Sequence, residues 1–600
     1  MVEPAGLGRW EAAARRIVWR QPWEAVYEPG EHGGRWFPGA MLNAAENCLD
    51  RHLPERAEKV ALDWEGEPGD ARALTYRQLH TEVCAFSDAL KGLGVTPGDR
   101  VALYMGLIPE TVVAMLACAR LGAVHALMAA ALPPDAVADR LADLNPRVLV
   151  TQDGAWRHGV ILPLKARADE AIPVAGIEHT VVVRRTGIDV AWYEGDRWFD
   201  ELVARRRPGT VVASEPSQPV AADHPLLVAY IANQGGRPAG ILHGTGGFLT
   251  YAATVHADGL TSAPDDVLWC AVEVAWITGQ SHAVYGPLTC GGTTVLYEGM
   301  VDTPTHSRSW DVIERHRVNT LLTTPSVIRN LRTWVDSPPR TGQLDSLRLV
   351  VTGGEALVPE VADWLCEHVA PSVVDGWGQT ELGGLVTLRN TACSADTLPP
   401  AGLDVVDAVG LSLGAGGMGE VVLREPWPGT FVGLQTDDSA AVAWRWERYE
   451  GAYATGDRAL LEPDGSLHFL GRIDSVVTVA GQLVSLAEVR EALLEHPYVL
   501  GAEVVDEPDP REGQGLAAFV VLSETMNGSA ELAHALREHV HERLGGLAEP
   551  RTVAFVDAFP TDLSADERRD ALRKLAASDL SATLTLTAAQ IQAARASVAN

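Results

Sequence analysis

The segment Val373–Glu381, with the sequence VVDGWGQTE, places an amide, a hydroxyl and a carboxylate in its last three positions. Its two valines are typical of the end of a buried strand, and the glycines that follow predict a turn. The hydroxyl of Thr380 could hold a phosphate oxygen. The carboxylate of Glu381 could ligate Mg²⁺, which prefers oxygen ligands and commonly takes one or two protein carboxylates beside a substrate phosphate. The same residues also make an ordinary polar loop, so the segment alone leaves both interpretations open.

The length, composition and net charge limit the classes of protein to which this chain can belong. A chain of 600 residues exceeds the size of one hydrophobic core, which predicts two or more domains, and its apolar content of 46% is typical of a globular protein. The net charge of −31 repels the phosphates of nucleic acids and anionic membranes, so neither is expected as a partner. A small nucleotide in a local pocket is compatible with this charge.

Membrane and redox signals favour a cytoplasmic location. No apolar run reaches the roughly 18 residues that a spanning helix needs, and the segment 1–20 lacks the apolar block of a signal peptide. The seven cysteines are scattered and odd in number, and their spacing does not match a zinc site. This usage favours reduced thiols.

Helical and strand patterns alternate along the chain, and the elements that they predict would position the polar residues. A helical period of 3.6 residues, as in 77–92, alternates with short strands rich in valine, alanine and leucine, such as 226–230. In the C-terminal part the pattern predicts a helix over 486–495 and strands near 500–505 and 517–522. The alternation predicts an α/β fold with a largely parallel sheet.

Nine short phrases are spread over most of the chain: Trp36–Gly39, Leu42–Asn43, Trp64–Asp70, Gly98–Ala102, Trp276–Gly279, Tyr285–Leu288, Thr324–Ser326, Gly353–Ala356 and Tyr453–Asp457. Together they resemble AMP-forming acetyl-CoA synthetases, members of the adenylate-forming superfamily that also includes luciferases and peptide synthetase adenylation domains. The resemblance spans residues 36–575. It implies a large N-terminal domain with parallel sheets (1–473), a small mobile α+β lid (474–575) and a tail (576–600).

The resemblance also implies a nucleotide site. That site would consist of Gly354, Glu355, Gln379, Asp457 and Arg472. Asp457 would grip both ribose hydroxyls, and Arg472 would reach the ribose or a phosphate. Thr380 and Glu381 would be catalytic, with Glu381 as the metal ligand. Asp474 would be the hinge about which the lid turns.

The segment that matches the family's phosphate loop keeps glycines of the loop but lacks its hydroxyl groups and its lysines. The family surrounds the ATP phosphates there with backbone amides, hydroxyls and two lysines. The remnant in this chain consists of Gly235, Gly236, Arg237 and Gly240. Positions 231–235 carry no hydroxyl, and Arg237 and Ala239 stand where the family has lysines. We therefore expect a triphosphate to be poorly held.

The acyl pocket shows a second departure. The resemblance implies a pocket formed by Trp276, Ile277, Thr278, Gly353 and Gly378. Acetate-specific members carry a tryptophan at the position of Gly378 and a valine at that of Gly353. Removing an indole frees space for several carbon atoms, so we expect a substrate larger than acetate unless neighbouring side chains refill the gap.

The CoA contacts are partly matched. Gly481 stands where the family has a glycine beside the pantetheine tunnel, and Arg157 matches one of the three arginines that bind the nucleotide of CoA. Val160 and His541 replace the other two. CoA is therefore a candidate ligand whose binding the sequence leaves open.

The largest departure lies near the C-terminus. The family's Pro-Lys-Thr-Arg-Ser-Gly-Lys segment ends in a lysine that stabilises negative charge during adenylation. Residues 560–566 of this chain read PTDLSAD, which puts Asp566 at the lysine position. Losing one electrostatic donor typically slows a catalysed step by about 10²–10³-fold, and a reversed charge should cost more.

Three hypotheses follow. The first is a remodelled family member that binds AMP or an acyl-adenylate, leaves ATP and Mg²⁺ doubtful as ligands, and transfers or condenses acyl groups without efficient adenylation. The second is an ATP-dependent ligase that joins a small-molecule acid to CoA or to a carrier protein. The third is a non-catalytic binding or regulatory homologue. The sequence does not name the acid, the acceptor or the oligomeric state.

A separate hypothesis places a nucleophile and a base at the edge of the family's cleft. The candidate residues are His243, Cys270, Glu273, His282 and Cys290. Their spacing reveals no pairing.

Overall fold

The computed structural model describes residues 6–204, 216–232, 238–261, 263–333, 339–391, 402–436, 440–463, 465–473, 476–523, 526–560, 565–578 and 585–596. The chain divides into two compact units. The larger comprises Met1–Ala131, Val137–Ile231 and Gly240–Gly471, and the smaller comprises Leu132–Ala136, Ala232–Ala239 and Arg472–Asn600. The main division follows Gly471, whose φ of 115° is one that glycine adopts readily, and it lies close to the boundary predicted at residue 473.

Two eight-stranded sheets form the framework of the larger unit. The first contains, in spatial order, Asp196–Trp198, His179–Val183, Val148–Gln152, Arg100–Met105, Val124–Ala129, Pro225–Ile231, Ala239–Gly244 and Gly433–Leu434. The second contains Gly384–Asn390, Ser372–Gln379, Leu349–Thr352, Thr320–Thr323, Val267–Cys270, Thr293–Glu298, Val60–Gly66 and Ala71–Thr75. The inner strands of the second sheet run parallel, and both of its edge strands are antiparallel. The α/β fold with parallel-containing sheets is confirmed.

Helices alternate with these strands, and their ends follow from local sequence. They include Tyr76–Gly92, Pro109–Leu121, Leu164–Ala171, Thr245–Val255, Arg308–His316, Pro325–Thr333, Pro359–His368 and Ala440–Glu447. Thr75 and Gln78 cap the first of them reciprocally, which satisfies two amides that have no partner within the helix. The second begins with a proline and ends before Gly122, which adopts the left-handed conformation.

The strand Ser372–Gln379 extends further than the sequence indicated. A turn was expected at Gly376 and Gly378, yet the strand continues to Gln379 because the edge strand Gly384–Asn390 pairs with it antiparallel. The register shifts between Trp377 and Gly378, as at a β-bulge. The predicted turn is therefore wrong in position, and the chain turns at the short 3₁₀ helix Thr380–Leu382 instead.

A smaller four-stranded sheet completes the larger unit beside this turn. It consists of Leu403–Val406, Met418–Leu423, Tyr453–Leu461 and Leu467–Arg472. The helix Ala440–Glu447 precedes the third of these strands and packs against it. This arrangement brings a helix and a strand from the sheet to the end of the strand Ser372–Gln379.

The smaller unit has its own sheet and core. It contains a hairpin, Val476–Val479 with Gln482–Ser485, and a sheet of Val499–Asp509, Gly513–Leu522, Thr552–Val556 and Thr585–Leu586. Its helices are Leu486–Glu495, Ala530–Leu544, Ala565–Ala576 and Ala588–Ala596. The helix and the two strands predicted between residues 486 and 522 are confirmed.

The predicted tail, 576–600, is in part a folded element. Residues 585–596 supply the last strand of the sheet and a helix. Leu586 and Ile591 are buried with Ala571 and Leu572 in one apolar cluster. The apolar side chains of this stretch therefore find partners on the preceding helix.

The cysteines only partly match the expectation of reduced thiols. The free thiols are Cys48, Cys84, Cys118, Cys270 and Cys290. Cys366 is disulfide-bonded, so the expectation is wrong at this position. In the described part of the chain, no helix is long and apolar enough to span a membrane.

Candidate nucleotide site

Asp457 is held at the end of the strand Ser372–Gln379 by two hydrogen bonds. Its Oδ2 atom accepts from Nε2 of Gln379 at 2.6 Å and from Nε1 of Trp377 at 3.2 Å. Asp457 is 8% exposed and belongs to the strand Tyr453–Leu461. The carboxylate is therefore oriented by two donors from a different sheet.

Gln379 is the centre of this junction. Its Nε2 atom also donates to the carbonyl of Thr455 at 2.8 Å, and its Oε1 atom accepts from the hydroxyl of Tyr453 at 3.1 Å. The indole of Trp377 stacks on Phe469 with ring centroids 4.8 Å apart. A buried amide with all these partners fixes the position of Asp457 relative to the strand end.

Glu381 forms a buried ion pair with Arg445 of the helix Ala440–Glu447. The Nη2 atom of Arg445 contacts Oε1 of Glu381, and the side chains are only 5% and 2% exposed. Nη1 of Arg445 donates to the carbonyls of Ala454 and Thr455 at 3.3 and 3.0 Å. The guanidinium also lies over the rings of Trp444 and Tyr453, with distances to the ring centroids of 4.6 and 5.4 Å.

Both members of this pair retain an unused polar atom. Among the described residues, Oε2 of Glu381 and Nε of Arg445 are buried and have no hydrogen-bond partner. Buried polar atoms in folded proteins almost always have a partner, and an unused one costs free energy. The pair therefore has one acceptor and one donor to offer to a ligand.

The predicted metal role of Glu381 does not fit this arrangement. One carboxylate oxygen contacts a guanidinium, and a divalent cation on the other oxygen would be repelled by that fixed charge. No cluster of three or more His, Cys, Asp or Glu side chains is arranged to hold a metal in the described part of the chain. Thr380, next to Glu381, is half-buried, and its contact with a phosphate stays a prediction.

Glu355 joins a second group, in the segments that follow two neighbouring parallel strands. Its Oε1 atom accepts from the backbone amide of Ser326 at 3.0 Å, and its Oε2 atom accepts from Nη2 of Arg329 at 2.5 Å. Gly354 precedes it with a φ of 90°, which favours glycine. The structure thus joins two of the sequence phrases, Thr324–Ser326 and Gly353–Ala356, while their contact with a nucleotide stays a prediction.

The space beside the two pocket glycines is filled. A Cβ atom at Gly378 would overlap the carbonyl oxygen of Gly384, and one at Gly353 would lie 3.1 Å from Cδ2 of Leu385. The expectation that these glycines leave a gap is therefore wrong, because the edge strand Gly384–Asn390 packs into it. Ile277 is buried and Trp276 and Thr278 are half-buried, and their acyl-pocket role stays a prediction.

Burial shifts the pKa values of several groups in the larger unit. Burial raises the pKa of Asp375 to about 6, although Arg389 donates to its carboxylate at 3.1 Å. Burial raises the pKa of Cys270 to about 12 and that of Cys290 to about 11, and it lowers that of His282 to about 3. The thiols stay protonated near neutral pH, which argues against the cysteine–histidine hypothesis.

Other predicted residues either lie outside the described residues or lie elsewhere in the larger unit. Gly235, Gly236 and Arg237 of the phosphate-loop remnant lie outside the described residues, as does the predicted hinge Asp474. Gly240 is buried, and its carbonyl accepts from the amide of Gln435 at 2.8 Å. Arg157 pairs with Val160 in a short hairpin. A predicted CoA contact therefore lies beside the residue that replaces a second CoA-binding arginine of the family.

The remaining predicted residues lie at the start of the smaller unit or within it. Arg472 is the last residue of the strand Leu467–Arg472. Gly481 occupies the turn of the hairpin that begins at Val476, with a φ of 82°. Asp566 lies in the first turn of the helix Ala565–Ala576. Of the predicted residues that the structure describes, Gln379, Glu381 and Asp457 meet at this junction.

Sequence reasoning missed three side chains of this junction. Trp377 and Tyr453 orient Asp457 and Gln379, and Arg445 pairs with Glu381. One feature of the sequence could have indicated Arg445: it is a single cation in the otherwise apolar run 440–446. Trp377 and Tyr453 carried no such signal, because aromatic residues are common in any buried strand.

Comparison with known proteins gives a consistent result over most of the chain. Residues 49–433 match the model for AMP-binding enzymes, 488–565 that for the AMP-binding enzyme C-terminal domain, and 8–48 that for the acetyl-coenzyme A synthetase N-terminus. The chain is 41% identical to the acetyl-coenzyme A synthetase of Streptomyces coelicolor over 585 residues, which cover 95% of this chain and 89% of that protein. The corresponding protein of Rubrobacter xylanophilus is 38% identical over 595 residues, 96% of this chain and 92% of that protein.

Proposed function

This chain belongs to the AMP-binding enzyme family, and on that premise we propose that it binds AMP or an acyl-adenylate and transfers or condenses acyl groups without efficient ATP-dependent adenylation. The acyl acceptor would be CoA or a carrier protein. The premise supports a ligase-like enzyme acting on small-molecule acids. The proposed loss of efficient adenylation depends on residues of this chain that differ from the family pattern.

The supporting observation is a contrast between the two ends of the nucleotide. On the adenosine side, Asp457 is buried and oriented by Gln379 and Trp377. On the phosphate side, the family's lysines are replaced by Arg237, Ala239 and Asp566. An adenosine monophosphate needs the first group, whereas a triphosphate also needs the second to neutralise its charge.

In this proposal each residue has a limited task. Asp457 would accept hydrogen bonds from the ribose hydroxyls, which orients the nucleotide without helping to break a bond. Thr380 would donate its hydroxyl to the single phosphate. Asp566 would repel an incoming triphosphate rather than stabilise the charge that develops when pyrophosphate leaves.

The size of the acid is a separate part of the proposal. A substrate larger than acetate was expected from Gly353 and Gly378, but Leu385 and the backbone of Gly384 occupy the space beside them. We therefore base no preference for a larger acid on these glycines. A panel of acids from acetate upwards in the experiment below measures the preference directly.

A second candidate function is ATP-dependent ligation of an acid to CoA. It is favoured by identities of 37–41% to acetyl-coenzyme A synthetases over about 95% of the chain. In that case Arg237 would cover the phosphates alone. A third candidate, a binding or regulatory homologue without turnover, would have the same nucleotide site and no acyl transfer.

Pyrophosphate exchange into ATP, measured with the panel of acids, tests the proposal. We expect exchange at least about 10²-fold below that of the Streptomyces coelicolor relative, together with thermal stabilisation by AMP. Exchange at the rate of the relative would overturn the proposal in favour of the second candidate. Stabilisation by AMP without turnover of any acyl thioester would favour the third.

A matched pair of variants localises the effect. Asp566→Lys restores the family's cation and should raise exchange by about 10²-fold. Asp570→Lys makes the same charge change one turn further along the helix Ala565–Ala576 and should leave exchange unchanged. Equal rates for the two variants would show that position 566 does not act on the phosphates.

A further inference from the structure

We propose that Arg445 is a built-in cation that takes the place of a divalent metal ion at Glu381, so that the site binds its nucleotide without a metal. The proposal rests on the proposed function only for the class of ligand, an adenosine phosphate. Its structural basis is the pair Glu381–Arg445 itself.

Arg445 is fixed at Glu381 by contacts on several sides. One terminal nitrogen contacts Glu381, and the other donates to the carbonyls of Ala454 and Thr455. The rings of Trp444 and Tyr453 lie against the guanidinium. A guanidinium stays charged at every physiological pH and is held here with little freedom, so a metal ion would have to displace it from a packed position.

The charge balance of the site leaves no place for a second cation. The carboxylate of Glu381 is neutralised by one guanidinium, and both side chains are at least nine-tenths buried. Without a ligand, a divalent ion at Oε2 would place three positive charges against one negative charge in a buried space. The anionic group that would balance Arg445 further is the phosphate of the ligand, which an arginine binds well without a metal.

The unused atoms of the pair agree with this role. Oε2 of Glu381 and Nε of Arg445 have no partner among the described residues, although both are buried. An unsatisfied buried atom is costly, so a ligand that bonded to these two atoms would be favoured. The pair is therefore incomplete in a way that a bound ligand can complete.

The larger unit offers a matched control pair away from this site. Glu298 is 2% exposed, pairs with Arg185 at 2.6 Å, and also has one oxygen, Oε1, without a partner among the described residues. Burial raises the pKa of Glu298 to about 7 despite the arginine. Glu298 lies at the end of the strand Thr293–Glu298, so removal of its arginine tests whether any buried glutamate would attract a metal.

Binding of Mn²⁺, followed by its electron paramagnetic resonance signal, tests the proposal. We expect Arg445→Met to bind one Mn²⁺ at least about tenfold more tightly than the natural chain does. The double variant Arg445→Met, Glu381→Gln should lose this binding, and Arg185→Met should bind like the natural chain. Equal Mn²⁺ affinity of the natural chain and Arg445→Met would overturn the proposal, as would tight binding by Arg185→Met.

A second measurement uses only the natural chain, so misfolding of a variant cannot affect its result. The affinity of the natural chain for AMP, measured by calorimetry, should agree within about twofold with added Mg²⁺ and with a chelator. Loss of AMP binding in the chelator would overturn the proposal. Neither measurement involves ATP turnover, so failure here is distinguishable from failure of the proposed function, which pyrophosphate exchange decides.

Discussion

Two buried glutamates of the larger unit are neutralised in different ways. Glu65, on the strand Val60–Gly66, contacts Arg308 and Arg315 through Oε1 and His316 through Oε2. Glu381 contacts a single arginine and leaves its second oxygen unused. Both carboxylates are almost completely inaccessible to solvent, so burial alone does not separate a structural charge from a functional one.

The partners of Glu65 are themselves satisfied. His316 bridges Glu65 and Asp63, with both of its ring nitrogens 2.8 Å from a carboxylate oxygen. Arg308 also donates to the hydroxyl of Tyr297 at 3.1 Å. A network with every valence used stabilises one conformation, whereas an incomplete pair costs stability and is retained where a ligand completes it. Of these two glutamates, Glu381 is the one with a carboxylate oxygen that has no partner among the described residues.

Removing the structural glutamate should have the largest effect. Glu65→Ala leaves Arg308 buried without its carboxylate, so we expect the free energy of unfolding to fall by about 3–5 kcal/mol. Urea unfolding of the full chain measures this, and AMP affinity measured under native conditions should not change. A loss of AMP binding without a loss of stability would contradict the structural assignment of this network.

The reverse pattern is expected at the nucleotide site. Asp457→Asn removes the charge that two donors orient, so AMP affinity should fall roughly 10–100-fold with little change in unfolding. Calorimetric titration with AMP is the measurement. The control is Asp404→Asn, which removes the charge of a carboxylate that accepts from Nε of Arg424. This variant should bind AMP normally. Unchanged AMP affinity of Asp457→Asn would remove the basis of the proposed site.

The structural network should also give a pH signature. Burial lowers the pKa of His316, but hydrogen bonds to Asp63 and Glu65 outweigh this and raise it from 6.5 to about 9. Its contribution to stability is therefore complete below pH 6.5 and is lost progressively as the pH rises to about 9. Denaturant unfolding at several pH values should show this loss in the natural chain, and His316→Gln should lack it.

The smallest effect is expected at the indole of the site. Trp377→Phe keeps an aromatic ring against Phe469 and removes one hydrogen bond to Asp457. One such bond contributes about 0.5–1.5 kcal/mol, so AMP affinity should fall about two- to tenfold. A decrease as large as that of Asp457→Asn would mean that the indole contacts the nucleotide itself.

Local sequence predicted much of the fold. The helix 486–495 and the strands that follow it are where the apolar pattern predicted them, because the helix buries one face and the strands consist largely of buried apolar residues. The continuation of the strand Ser372–Gln379 through two glycines could not be predicted. Glycines weaken a strand locally, and only pairing with residues 384–390 holds them in the sheet.

The site was predictable only in part, for a similar reason. Gln379, Glu381 and Asp457 have the residue types that their chemistry requires, so motif and spacing identified them. The filled space beside Gly378 depends on Gly384, which is close in sequence but reaches it only through the bulged antiparallel pairing. The disulfide at Cys366 likewise had no sequence signal among scattered cysteines.

The sequence by itself determined the family, the α/β architecture and the replacement of the phosphate-binding lysines, because these depend on residue identity and order along the chain. Only the tertiary structure decided that Arg445 neutralises Glu381, since the two residues are 64 positions apart and meet where a helix packs beside the end of a strand. The physical reason is that the energy of a charge depends on its distance from other charges and on its burial, and neither quantity can be read from sequence order.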